Sequence, residues 1–144
     1  SCTVGWGSLG NMWGDGRSTV TVYVHPARYT SEFLKENEEF TVSFLPKSQK
    51  RALAYMGIHS GRTENKAEAA GLTPVAVRNS VTYEEAELTF VCRKLYQHQF
   101  TKEDIVSDVQ AYYASGAAVY PDGEGGWQPH IIFIGEILDV IDKR

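Results

Sequence analysis

Residues 18–25, Ser18-Thr-Val-Thr-Val-Tyr-Val-His25, alternate strictly between two faces. Val20, Val22 and Val24 fall on one side, Thr19, Thr21 and Tyr23 on the other, the period of two that a β-strand imposes. Phe40, Val42 and Phe44 repeat the pattern, closed by Pro46. Leu88 to Leu95 and Ile131 to Ile141 are two more such runs, the last apolar on both faces as a central barrel strand would be. Shorter strands are expected at Cys2 to Ser8 and at Val75 to Arg78. Helical signals are fewer. Thr30 or Ser31 can cap a short helix through Phe33 and Leu34 to about Asn37. Ser48 can cap a second, with Ala52, Leu53 and Met56 at core spacing, ending near Gly57. Thr63 is placed to start a third that stops at Gly71 and Pro74. Strands dominate and do not alternate with helices, which disfavours a parallel nucleotide-binding sheet and predicts an antiparallel barrel with helices outside. From Gln97 to Pro129 the pattern is weak, and Asp122 to Gly126 reads as a flexible turn.

The chain has 144 residues, enough for a single domain over 1–144 that buries roughly 70% of its unfolded surface. Its 14 basic side chains are outnumbered by 18 acidic ones, for a net charge of −4. That balance disfavours duplex nucleic acid or an anionic membrane surface as a partner. The Gly-rich run from Ser1 to Gly14 is too short for a bilayer span and lacks the form of a signal peptide. Cys2 and Cys92 lie 90 positions apart, outside any CxxC or zinc spacing. They read as buried thiols of a reducing compartment, which predicts a cytoplasmic protein.

Several motifs invite chemistry. Gly5-Trp6-Gly7-Ser8-Leu9-Gly10 matches GxGxxG, but Asn11-Met12-Trp13-Gly14-Asp15-Gly16 follows, and no helix opens there to meet a pyrophosphate. The same stretch fails as a hydrolase elbow because Trp6 replaces the first glycine. His25, His59, His98 and His130 form no metal-binding pair, so no metal is expected and each reads as a satisfied imidazole. Glu84, Glu85 and Glu87 read as a solvated face. Two clusters fit an anion better. Arg28, Thr30 and Ser31 sit where a strand gives way to a helix start, and His59-Ser60-Gly61-Arg62-Thr63 with Lys66 precedes another. A phosphate-bearing ligand accounts for both, and helix caps with surface salt bridges account for the same residues. Trp6 and Trp13 in the Gly-rich loop allow a planar aromatic ligand nearby. The strands Leu88 to Leu95 and Ile131 to Ile141 offer more apolar surface than one small barrel hides, which predicts a two-fold homodimer.

Taken in order, CTVGWGSLGNMWG, TVYVHPARYTSEFLKENEEFTVSF, HSGRTENKAEAAGLTP, EEAELTFVCRKLY and HIIFIGEI resemble the flavin reductase-like, flavoredoxin-type proteins. The resemblance implies a Greek-key, FMN-binding split β-barrel that dimerises with flavin near the subunit interface. It implies that Trp6, Gly7 and Ser8 lie against the flavin ring and that Arg28 and Thr30 face its phosphate. Ser60, Arg62 and Lys66 would complete the contacts, the Lys66 cation stabilising reduced flavin. His130 would stand near the ring and is the one expected proton donor. NAD(P)H would be the electron donor, and free flavin, a protein or a small molecule the acceptor. Alternatives are a flavin-binding electron carrier or store without NAD(P)H activity, and a barrel serving only as a dimerisation module. The family's usual asparagine would fall ahead of Ser1, so its first strand is expected to be missing. Ala67 replaces a bulky residue, and Cys2-Thr3 a Met-Thr.

Overall fold

The runs of β-branched and aromatic residues become the long strands of a computed structural model, which describes residues 1–117, 119–120 and 126–144. Among these residues seven strands and four α-helices form: β1 (Gly7–Met12), β2 (Arg17–Val24), α1 (Tyr29–Glu36), β3 (Glu39–Phe44), α2 (Lys50–Ile58), α3 (Lys66–Ala69), β4 (Pro74–Val77), β5 (Ser80–Tyr83), β6 (Leu88–Gln99), α4 (Ser107–Ser115) and β7 (Ile131–Asp142). The five-stranded sheet has the order β1-β2-β7-β6-β3, with every pairing antiparallel. β4 and β5 form a separate hairpin. That hairpin is pinned to β3 by Thr41 Oγ1 donating to the Val81 carbonyl (2.5 Å) and by the Ser43–Thr82 hydroxyl pair (2.9 Å). The fold is therefore mainly antiparallel β with a few short helices, as expected. Among the described residues strand pairing does not close into a ring.

β7 is central, as its two-sided apolar sequence predicts, with Ile131, Phe133 and Ile134 buried. With Val20, Val22, Val24, Leu34, Phe40 and Cys92, its Ile131 and Phe133 make the main core. Gly135 is required by close packing: a Cβ there would lie 2.6 Å from Phe40 Cζ and 2.9 Å from Cys92 Cβ. Both thiols are free; Cys92 is buried and its pKa is pushed up to about 12, while Cys2 is half-buried. A second small core of Ala52, Met56 and Leu72 fixes α2 beside the hairpin.

Four local expectations are corrected. The first strand is Gly7–Met12 rather than Cys2 to Ser8, because its hairpin turn comes at residues 13–16, where Trp13, Gly14 and Gly16 take positive φ. Helix α1 is not capped by Thr30 or Ser31: the N-cap is Arg28, and Ser31 Oγ donates to the Pro26 carbonyl instead (2.9 Å). Ser48 lies in a 3-10 turn ahead of α2 and caps nothing. α3 starts at Lys66 under an Asn65 cap, because Thr63 turns its hydroxyl back to the Ser60 carbonyl. Most of the turn expected at Asp122 to Gly126 lies outside the described residues. No helix among the described residues is long and apolar enough to cross a membrane.

Candidate functional site

Where β2 ends at Val24, Pro26 cannot continue the ladder, and the chain turns through His25-Pro26-Ala27-Arg28 into α1. The Arg28 N–H bonds the His25 carbonyl (2.9 Å). Arg28 occupies the N-cap without a side-chain cap; the Ser31 N–H bonds the Arg28 carbonyl (2.9 Å), and the Tyr29 and Thr30 N–H groups lie ahead of any intrahelical acceptor. Half-buried Thr30 lies in that turn. Exposed Arg28 donates from Nη1 to the Gly57 carbonyl at the end of α2 (3.1 Å).

The second basic turn reaches back to the first. Arg62 Nη1 donates to the Ala27 carbonyl (3.2 Å), its guanidinium lies 4.7 Å over the Tyr29 ring, and Nη2 pairs with Glu32. Its backbone N–H bonds Ser60 Oγ (3.2 Å). The loop is closed by Glu64, whose carboxylate accepts from Tyr55 OH (2.5 Å) and His59 Nδ1–H (2.6 Å), bonds that hold its pKa below the usual range. The two clusters read separately in the sequence thus meet where Arg62 reaches Ala27 and Tyr29, with Arg28 and Thr30 on that turn and Ser60 on the Arg62 loop.

Lys66 belongs to the same corner but points inward. Only 7% exposed, it donates from Nζ to the carbonyls of Met56 (2.8 Å) and His59 (3.1 Å). Burial lowers its pKa, and the nearby Arg28 charge acts the same way. Its ammonium ties the end of α2 to the start of the Ser60–Arg62 loop, behind the exposed guanidinia.

An aromatic wall stands beside these cations. The Trp6 ring, 42% exposed, lies 4.1 Å from that of His130 and 6.3 Å from Tyr23. His130 Nδ1 is 2.6 Å from the Tyr113 hydroxyl, and Tyr113 stacks on Trp127 (5.0 Å). Burial lowers the His130 pKa to about 4, helped by His25 and Arg28, so the ring is neutral near pH 7. Beyond Trp6 opens an apolar cavity of about 410 Å³ walled by His98, Phe100, Asp104, Ile105 and Tyr113. Gly7 and Ser8, next to Trp6, are strand residues paired with Val22 and Thr21. A Cβ on Gly7 would sit 2.7 Å from the Thr21 carbonyl, so this glycine serves strand packing. Trp13 lies at the far tip of the hairpin, about 20 Å along β1 by strand rise, and does not join the wall.

Sequence reasoning missed Tyr113, Trp127 and Phe100, which stand in the weakly patterned stretch and reach the site only through tertiary packing. Glu85 accepts from the Thr73 N–H and hydroxyl and holds a loop closed, away from this site. Among the described residues no three metal-ligating side chains come together.

A mainly antiparallel sheet thus brings two arginines and a helix start into the same corner as a Trp–His pair. The sequence profile of the flavin reductase like domain matches residues 17–144, and the chain belongs to that family. A search of curated proteins finds no match. Among solved structures the chain resembles an FMN-binding protein from Thermus thermophilus with bound 1-cyclohex-2-enone (TM-score 0.69, 22% identity, 99% of this chain and 62% of that one). It also resembles flavoredoxins from Methanosarcina acetivorans (TM-score 0.71, 20% identity, 98% and 60%) and Desulfovibrio vulgaris (Miyazaki F) (TM-score 0.68, 23% identity, 98% and 60%). At these identities the likeness is one of fold, and the chain spans about three fifths of the length of each of these proteins.

Proposed function

We propose that this chain is an FMN-binding oxidoreductase domain that passes electrons from NAD(P)H through flavin to an acceptor. The observation that carries the reading is the meeting of Arg28 and Arg62 at the uncapped start of α1, within one corner of the Trp6–His130 wall. Two guanidinia, the Ser60 and Thr30 hydroxyls and free helix N–H groups suit a phosphate dianion, and the indole suits a flat ring, so the residues present fit FMN. Bound flavin would supply hydride acceptance and one- or two-electron transfer.

The side chains have separable tasks. Arg28 and Arg62 neutralise phosphate charge, while Tyr29 and Glu32 hold Arg62 in place. Lys66 keeps the Ser60–Arg62 loop against α2 and adds positive charge behind it. Trp6, carried by Gly7 and Ser8 on β1, covers the ring side and excludes water. Neutral His130, with Tyr113 on Nδ1, keeps a proton on Nε2 when the phenol donates, and offers it as a hydrogen bond near the ring; the expected role of proton donor is the weaker one, since burial disfavours the imidazolium. The cavity beyond Trp6 is where a nicotinamide or acceptor ring would enter.

The same reading takes residues 1–144 as one domain working as a homodimer in the cytoplasm. Exposed Leu9, Met12, Leu138 and Val140 on the sheet support self-association, and the free thiols support a reducing compartment. A flavin carrier without NAD(P)H activity is the competing reading. Anaerobic mixing of the FMN-loaded protein with NADH or NADPH separates them: rapid loss of flavin absorbance supports the reductase, and unchanged oxidised flavin favours the carrier.

A further inference from the structure

His25 is 4% exposed, is neither a metal ligand nor a core hydrophobe, and uses both ring nitrogens. Nδ1 lies 3.1 Å from the Ala27 backbone nitrogen. An amide N–H can only donate, so Nδ1 carries the lone pair and the proton sits on Nε2. Nε2–H therefore donates to the Gln128 carbonyl, 3.0 Å away. Burial favours the same neutral ring, holding the His25 pKa below its ordinary value.

Each bond reaches a different half of the site. On the Nδ1 side, the Ala27 N–H is fixed inside the turn that delivers Arg28. There the Pro26 carbonyl is held by Ser31, the Ala27 carbonyl by Arg62, and the His25 carbonyl by the Arg28 N–H. On the Nε2 side, Gln128 begins the short lead into His130 and β7. Its N–H bonds the Tyr120 carbonyl (2.8 Å), and Gln99 Nε2 holds the Pro129 carbonyl (3.0 Å). The His25 ring also packs against His130, 5.3 Å between centroids, and against Tyr120, 5.0 Å.

We propose that His25 is a positioning residue that joins the anion-binding turn to the His130 wall, Nδ1 setting the turn and Nε2–H anchoring the lead into β7. Its effect on ligand binding rests on the flavin reading above; its two bonds do not.

The two functions can be separated by side chains that copy one nitrogen each. Asn places its Oδ1 where Nδ1 stands and accepts an N–H two residues on, the ordinary Asx turn, well suited to a following proline. Gln places its amide N–H near Nε2 but has no acceptor at Nδ1. Amide exchange on flavin-free wild type, His25→Asn and His25→Gln is the first measurement. Exchange at Ala27 is expected to rise in His25→Gln and stay protected in His25→Asn, with the reverse for the amides of Gln128, His130 and Ile131. Protection of Cys92 and Phe133 in the sheet reports that each variant is folded. FMN and riboflavin titrations follow. Loss of one neutral hydrogen bond predicts that His25→Gln lowers the preference for FMN about two- to twelvefold. His25→Asn is expected to keep that preference. Equal exchange changes in both folded variants, or a His25→Asn variant that loses the FMN preference as His25→Gln does, would overturn the proposal. The crossed exchange pattern in a protein that binds neither flavin would support the positioning role and overturn the flavin reading alone.

Discussion

Replacing Arg28 with alanine tests whether the converged basic corner holds a phosphate. In the structure the exposed Arg28 side chain makes one hydrogen bond among the described residues, to the Gly57 carbonyl, and alanine keeps the backbone bonds, so its removal costs the fold little. A charge-assisted bond to phosphate is worth about 1.5–3 kcal/mol. Its loss therefore predicts a drop in FMN affinity of about tenfold to 150-fold. Riboflavin shares the ring and lacks the phosphate, so its affinity should hardly move. The assay is a pair of fluorescence titrations, FMN and riboflavin, on wild type and Arg28→Ala at one ionic strength, because screening alters any phosphate contact. Equal losses for both ligands would refute the phosphate assignment and return Arg28 to a merely structural role between α1 and α2.

Other outcomes follow from the same geometry. His130 has a folded pKa of about 4 against 6.5 unfolded, so between those values the unfolded chain binds more protons and stability falls as pH is lowered. The shift bounds the loss at about 3 kcal/mol, with solvent screening reducing it to about 1–2; urea midpoints at pH 7 and pH 4 measure it, and His130→Asn should flatten the profile. Gly135→Ala forces a methyl against Phe40 and Cys92 and should destabilise by about 1–3 kcal/mol, read as a lowered Tm; an unchanged Tm would contradict the packing. Light scattering with flavin present should give a dimer mass at micromolar protein, and a monomer would contradict the assembly reading.

Much of the sheet was legible because β2 and β3 alternate apolar with polar residues at period two, while β7, the central strand, is apolar on both faces. β1 was displaced by several residues for the converse reason: all six of its residues are exposed, and two of them are glycines. The helix caps were misread because hydroxyls at Ser31 and Thr63 bond backward to carbonyls, which local sequence cannot distinguish from forward capping. At the site, the arginine turns were visible through their charge and their place at helix starts. The aromatic wall was half visible: Trp6 carried a signal and His130 entered through the family resemblance, but Tyr113 is the only buried residue of α4 and meets His130 across 17 positions of poorly patterned chain. His25 looked like an ordinary buried histidine, since nothing in the sequence tells which carbonyl will meet Nε2.

Flavin binding is the claim on which the rest depends, and it reduces to one measurement. Purified protein mixed with an equal amount of FMN, passed through gel filtration and read by absorbance should carry a perturbed flavin spectrum in the protein peak, with flavin fluorescence quenched by the Trp6 wall. FMN eluting wholly apart from folded protein, with an unperturbed spectrum, would contradict the account.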